Sequence, residues 1–146
     1  MKPRSCWSVL AKKAKDHEEV AQQAVSQAHQ RVEHLRASRQ RMDDLLLDYK
    51  RKALDNQSQV HSMADTHNSR QFMLNLQELV NRVDRDLQVA LAAAERAKVG
   101  LMQATQQRMK MDAMQEKDLA AVQTWQRKRE QKEMDSLGLT LYNLRA

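Results

Sequence analysis

The chain is short of everything that lets a polypeptide reverse direction often. Its 146 residues include two glycines, one proline and one cysteine, and aromatic residues make up 3% of it. Turns recruit Gly for backbone angles that other residues avoid, and Pro for its fixed φ. Scarcity of both excludes a fold of many short elements. The shortage of aromatics argues against an ordinary globular core, because such side chains carry much of the area a core buries. A lone cysteine, Cys6, cannot form an internal disulfide, and a reducing compartment is the simplest expectation. No apolar run of signal-peptide length accompanies Lys2 and Arg4 at the N-terminus. No stretch approaches the roughly 20 apolar residues that a membrane-crossing helix needs. The expectation is a soluble, cytoplasmic protein.

The signatures of catalysis are missing too. There is no Gly-rich phosphate loop. The histidines are His17, His29, His34, His61 and His67, and none stands at metal-ligand spacing from a Cys, Asp or second His on one helical face. His29 and His34 are five residues apart and diverge around a helix. Two paired helices also offer no concave, water-excluding pocket. No catalytic residue, no metal and no cofactor is expected, and the chain is not expected to be an enzyme.

What remains is helix-forming material. Hydrophobic residues are 41% and charged residues 30%, dominated by Ala, Gln, Leu, Lys, Arg, Glu and Met, the profile of long helices. Pro3 suits the start of a helix, with Ser5 a candidate N-cap. In the first half Ala14, Ala21, Ala28, Leu35, Met42 and Tyr49 recur every seven residues, and Val25, Val32, Leu46 and Ala53 form a second ladder four residues on. Alternation by three and four is the seam of a coiled coil. Glu18 and Arg39 interrupt it. In the second half Leu76, Val83, Ala90, Ala97, Ala104 and Met111 form one ladder, and Val80, Leu87, Ala94 and Leu101 the other. That seam falters at Arg108, Gln115 and Asp118 and resumes at Val122 and Trp125.

Between the halves, residues 54–68 read LDNQSQVHSMADTHN, polar and without a seam. The spacing predicts an all-α, two-helix antiparallel coiled-coil hairpin in one domain spanning 1–146. Its parts are a helix over about 5–53, a turn region over about 54–68, a helix over about 69–137 and a C-terminal tail over 138–146. A continuous single helix is the rival, disfavoured by the long loss of the seam. Pairing positions that total 129 sets Leu35 against Ala94, Val32 against Ala97 and Ala28 against Leu101, large against small in each layer. Pairing to a total of 122 is the competing register.

Several residues stand off the ladders. Leu45, Leu47, Phe72, Met73 and Leu79 widen the apolar stripe beyond what one partner helix covers. Either the turn folds over them or they form a patch for a partner protein. Met102, Met109, Met111 and Met114 read first as core filler and second as an adaptable surface. Gly100 reads as a tolerated surface glycine.

The formal net charge is +6 and the isoelectric point near 9.7. The first fifteen residues carry Lys2, Arg4, Lys12, Lys13 and Lys15 and no acid; Arg127, Lys128, Arg129 and Lys132 cluster near the other terminus. In a hairpin both stretches fall at the end away from the turn. A solvated face, a nucleic acid and an acid-lined protein cavity all fit that charge. No aromatic interleaving or nucleic-acid motif accompanies it, so no nucleic acid is expected as partner. A basic coiled-coil adaptor or nucleic-acid-binding helical protein is the alternative function.

The segments LLLDY at 45–49, SRQFMLNLQELV at 69–80 and KREQKEMD at 128–135, with the MKP opening and the polar break near residue 60, resemble the FliJ family of flagellar type III export proteins over nearly the whole chain. The resemblance implies a small coiled-coil hairpin similar to the central stalk of rotary ATP synthases. It implies a non-enzymatic stalk and export chaperone, monomeric when isolated. The end carrying the termini would insert into the hexameric export ATPase (FliI), and another surface would touch the cytoplasmic domain of the export gate (FlhA). Export chaperones are further implied partners. The implied location is the cytoplasmic face of the inner membrane at the flagellar base, held there through partners. Carried over by position, the gate-binding residues are Met42, Leu46, Tyr49, Ala53, Phe72, Leu76, Leu79 and Val83. Of these, Ala53 and Val83 depart from the family's aromatic and histidine character. The ATPase-ring contacts are Lys12, Lys13, Arg129, Glu130, Gln131, Lys132, Met134 and Asp135. Related stalks serve virulence-type injectisomes, and only the resemblance assigns this chain to a flagellum.

Overall fold

The computed structural model describes residues 2–56 and 63–145. Two helices account for nearly all of them, α1 over Ser5–Asn56 and α2 over Met63–Arg145, and they pack antiparallel as the heptads predict. There is no strand among the described residues. Contacts group into two units, one of Gln22–Gly100 and one of Met1–Ala21 with Leu101–Ala146.

The helices outrun the seam. α1 ends at Asn56 and α2 begins at Met63 and runs to Arg145, so residues 54–56 and 63–68 of the expected turn region are helical, the rest of it lies outside the described residues, and the expected tail over 138–146 is helical as far as Arg145. Asp65, Thr66, His67 and Asn68 are helical and exposed. A stretch free of Pro need not stop being helical where the apolar seam ends and the chain faces water. Gly138, which punctuates the sequence, keeps ordinary helical backbone angles. Thr140 just beyond it donates its hydroxyl hydrogen to the carbonyl of Ser136 at 2.9 Å.

In the unit of residues 22–100, Leu46, Leu76 and Val80 form one buried cluster, with Met42 packed against it. Val32, Leu35 and Ala90 form another, joined by Leu87, Leu91 and Ala94. Leu46 with Leu76 and Leu35 with Leu87 both total 122, so the register is the competing one and not 129. Large-against-small layering does not decide it, because leucine meets leucine in these layers.

Of the charged pairs across the helices, Arg39 with Asp84 falls next to that register, and Glu18 with Arg108 crosses the seam on a diagonal. The guanidinium of Arg39 donates to Asp84 Oδ1 at 2.5 Å and also reaches Asp43 on its own helix. In the other unit Arg108 donates to Glu18 Oε2 at 2.6 Å and to Asp112 at 2.9 Å. The apparent breaks at Glu18, Arg39 and Arg108 are therefore cross-helix partners on the flank of the seam. The bond to Asp84 chiefly holds Arg39 above the usual arginine range; that to Glu18 does the same for Arg108. With the folded value raised, both contributions are fully present below the ordinary arginine value. They are lost only as pH climbs through the folded one, so neither guanidinium makes stability vary across neutral pH.

Asp118, the third break, has a different partner. Its Oδ2 accepts the backbone N–H of Arg4 at 2.7 Å, immediately before the first helical residue, Ser5. The first turn of α1 holds no acidic residue, and Asp118 supplies from α2 the negative group that an exposed helix N-terminus favours. The cap expected from Ser5 thus comes from across the seam.

Gly100 has nothing within 4 Å of where a Cβ would stand. Gly100→Ala should stabilise the chain by about 0.5–1 kcal/mol, the helix-propensity difference between the two residues. A melt followed by circular dichroism should show a higher midpoint; a lower one would mean that the open space is not there.

Candidate interaction surfaces

Leu46 and Leu76 turn inward, at 8% and 5% exposure, so of the eight family-positioned residues in the 22–100 unit these two lie in the seam with half-buried Met42 beside them. Tyr49 and Phe72 stack across the helices with ring centroids 4.5 Å apart and planes at 27°. Phe72 is 40% exposed and Leu79 45%. Ala53 is exposed and Val83 half-buried. Leu45, Leu47, Leu54 and Leu74 are exposed as well. Among the off-ladder residues, only Met73 is half-buried.

This arrangement follows from the heptads. Tyr49 and Phe72 sit at the margin of the seam, where a ring can rest one face on its neighbour and show the rest to solvent. Offset stacking of this kind fixes both rings. The leucines around them belong to the outer faces of single helices and have no partner helix to meet. The possibility that the turn covers them concerns residues 57–62, which lie outside the described residues.

In the other unit, Lys12, Lys13, Arg129, Glu130, Gln131, Lys132, Met134 and Asp135 are all exposed. The structure does not bring them to one place. The Arg4–Asp118 and Glu18–Arg108 pairs fix the alignment there, and it sets Lys12 and Lys13 level with the stretch between 108 and 118, well short of 129. From Gln123 to Arg145 every residue is exposed. Trp125, expected on the resumed seam, is 39% exposed. Its indole instead carries the Arg129 guanidinium 5.6 Å from the ring centroid, and Arg129 also pairs with Glu133 at 3.3 Å. Val122, at 4% exposure, is the last buried residue among the described ones.

Two features went unread in the sequence. Met134, Leu137, Leu141 and Leu144 repeat by three, four and three, and all are more than 60% exposed. That spacing was visible, but the helix was expected to end near residue 137, with a tail beyond it. Met102, Met109 and Met114 are exposed, which corrects their reading as core filler; Met111 alone of the four is half-buried.

Among the described residues no three His, Cys, Asp or Glu side chains converge as a metal site would require. None of the described helices is long and apolar enough to cross a membrane. Comparison with curated proteins and with solved structures returned no significant match. A family profile does match, described as Flagellar FliJ protein and covering residues 8–146. With nearly the whole chain matched, on two antiparallel helices of the expected kind, this protein belongs to the FliJ family of flagellar export-associated proteins.

Proposed function

We propose that the chain is a non-enzymatic stalk of the flagellar export apparatus, working by being held in two places. The aromatic-edged face around Tyr49, Phe72 and Leu79 binds the cytoplasmic domain of the export gate. The exposed end of α2, over residues 129–135, enters the ring of the export ATPase. Lys12 and Lys13 contact the same ring lower on the hairpin. Buried Leu46 and Leu76 serve the gate face indirectly, by fixing the helices that present the rings.

The observation that carries this reading is the coexistence of a rigid aromatic stack and uncovered leucines on a helical pair that has no cavity to fill with them. Exposed apolar residues in such concentration mark partner sites, and aromatic anchors dominate binding energy at interfaces. A stiff element bound at two places can bias the gate only if it favours one of the gate's states over the other. Promotion of ATPase activity follows if the stalk binds the assembled ring better than its parts. Association with the membrane's cytoplasmic face then comes through the gate.

The test is a titration of the isolated gate domain against the wild-type chain and against Phe72→Ala. Truncating an aromatic that anchors an interface costs about 2 kcal/mol or more, so affinity should fall at least tenfold while helicity is retained. Stimulation of the ATPase should be unaffected. Unchanged gate affinity in a fully helical Phe72→Ala protein removes the gate assignment. A complex that instead dissolves steeply with salt, and ignores this substitution, would indicate a polyanion as the ligand.

A further inference from the structure

In the unit that holds the termini, the buried seam runs one position further than α1 does. α1 begins at Ser5, and the bond from the Arg4 amide to Asp118 sets that start level with Asp118. Val122 stands four residues on, about 6 Å further along α2 at about 1.5 Å per residue. No helical residue of α1 is level with it. Yet Val122 is 4% exposed, less than Ala11 at 7% or Ala14 at 6%. Trp125, the next seam position, is 39% exposed. The cover over Val122 therefore comes from the beginning of the chain, and it stops there.

The residues around the opening turn of α1 are placed to supply it. Lys2, Pro3 and Arg4 precede the helix without regular structure, and a residue before proline is held extended. Trp7 is half-buried. Helical side chains lean toward the N-terminus of their own helix, and for α1 in an antiparallel pair that direction is toward Val122. The Trp7 amide donates to the Arg4 carbonyl at 3.2 Å, so the turn that carries the indole is tied to the residue that Asp118 holds. The Asp118 side chain is itself shielded, 10% exposed against 67% for Arg4.

We propose that residues 2–7 form a strap over the end of the seam, latched by the Asp118 carboxylate, and that the strap lifts without the two helices parting. Closed, it ends the apolar seam at Val122. Lifted, it leaves Val122 and Trp125 as one open stretch with the three-residue step that a partner helix meets. A chain terminus is ordered only as far as its contacts tie it down, and such ends open ahead of the core. Here the tie is a single carboxylate, whereas Ala11 and Ala14 behind it lie between both helices. Asp118 thereby governs how much of the α2 seam is available to a partner.

The experiment is thiol labelling of the full chain in a Cys6→Ser background, with a small soluble maleimide as the probe. Three reporters are compared: Val122→Cys beneath the strap, Ala14→Cys in the seam behind it, and Gln123→Cys on exposed helix. A covered thiol reacts only when its surroundings open, so the first two should label at least tenfold more slowly than the third. Adding Asp118→Ala removes a charge-assisted hydrogen bond, which shifts an opening equilibrium by about tenfold or more. Val122→Cys should then label at least that much faster, with Ala14→Cys as slow as before. Labelling of Val122→Cys that ignores Asp118→Ala overturns the proposal. So does a rise shared by Ala14→Cys, because Asp118 would then hold the helices together and not a strap upon them. A Val122→Cys chain that labels as fast as Gln123→Cys from the outset also overturns it.

Discussion

A chain ending at Thr124 should lose all stimulation of the export ATPase while keeping both helices paired. Every residue from Gln123 to Arg145 is exposed, so this stretch buries no side chain on which the pairing depends. Its recorded interactions are local: Trp125 with Arg129, Arg129 with Glu133, and Thr140 with the Ser136 carbonyl. Surface pairs of this type contribute roughly 0–1 kcal/mol. The melting midpoint of the remaining helices should accordingly move by no more than about 4 °C. Yet the truncation removes the whole 129–135 segment proposed to enter the ring, along with the exposed repeat of Met134, Leu137, Leu141 and Leu144. ATP turnover measured with the truncated chain should match that of the ATPase alone, and the gate domain should bind as before. Undiminished stimulation would place the ring contact elsewhere, with Lys12 and Lys13 the next surface to test.

The second large effect is on folding. Val80 is 2% exposed and packs with Leu46 and Leu76 in one buried cluster of the 22–100 unit. Val80→Asp would put a carboxylate there with no cation of the cluster to meet it. A buried, unpaired charge costs about 3–5 kcal/mol, a large part of the 5–15 kcal/mol that holds a typical domain together. The melting midpoint should drop by roughly 10 °C or more, and gate binding should fall with it, since the Tyr49–Phe72 stack rests on the same two helices. Leu46→Ala should act in the same direction by about 2–4 kcal/mol through the cavity it leaves. A Val80→Asp chain that melts like the wild type would show that this cluster does not hold the helices together.

The helices and their antiparallel pairing were legible because alanine, valine and leucine recur with the period that only a coiled coil explains. The alignment was not, and the reason lies in the same residues. Ala28, Ala90 and Ala94 accept several neighbours equally, so hydrophobicity is silent about which one they meet. Arg39 and Asp118, whose cross-helix bonds do carry that information, look like defects when residues are sorted only as apolar or polar. Helix ends were misjudged for a related reason: at Asp65–Asn68 and beyond Gly138 the heptad seam ends before the helix does. On the candidate surfaces, Phe72 and Leu79 stood out as apolar residues that no ladder could absorb. Leu141 and Leu144 were missed because they lie in the stretch over 138–146 that was expected to be a tail, so their helical spacing from Met134 and Leu137 was not read. Leu46 and Leu76 were carried to the gate surface by resemblance although both stand on the seam ladders, and the helices bury them as the ladders require.

The bond from the Arg4 amide to Asp118 ties two events into one. An amide that belongs to the opening of α1 can release its acceptor only when α2 moves away from it or when the opening turn unwinds. Hydrogen–deuterium exchange at that single site should therefore register the parting of the strands at the termini, without a label or a substitution. Replacing Asp118 with asparagine would leave an acceptor there but strip its charge, and so separate the share owed to geometry from the share owed to the field at the helix start.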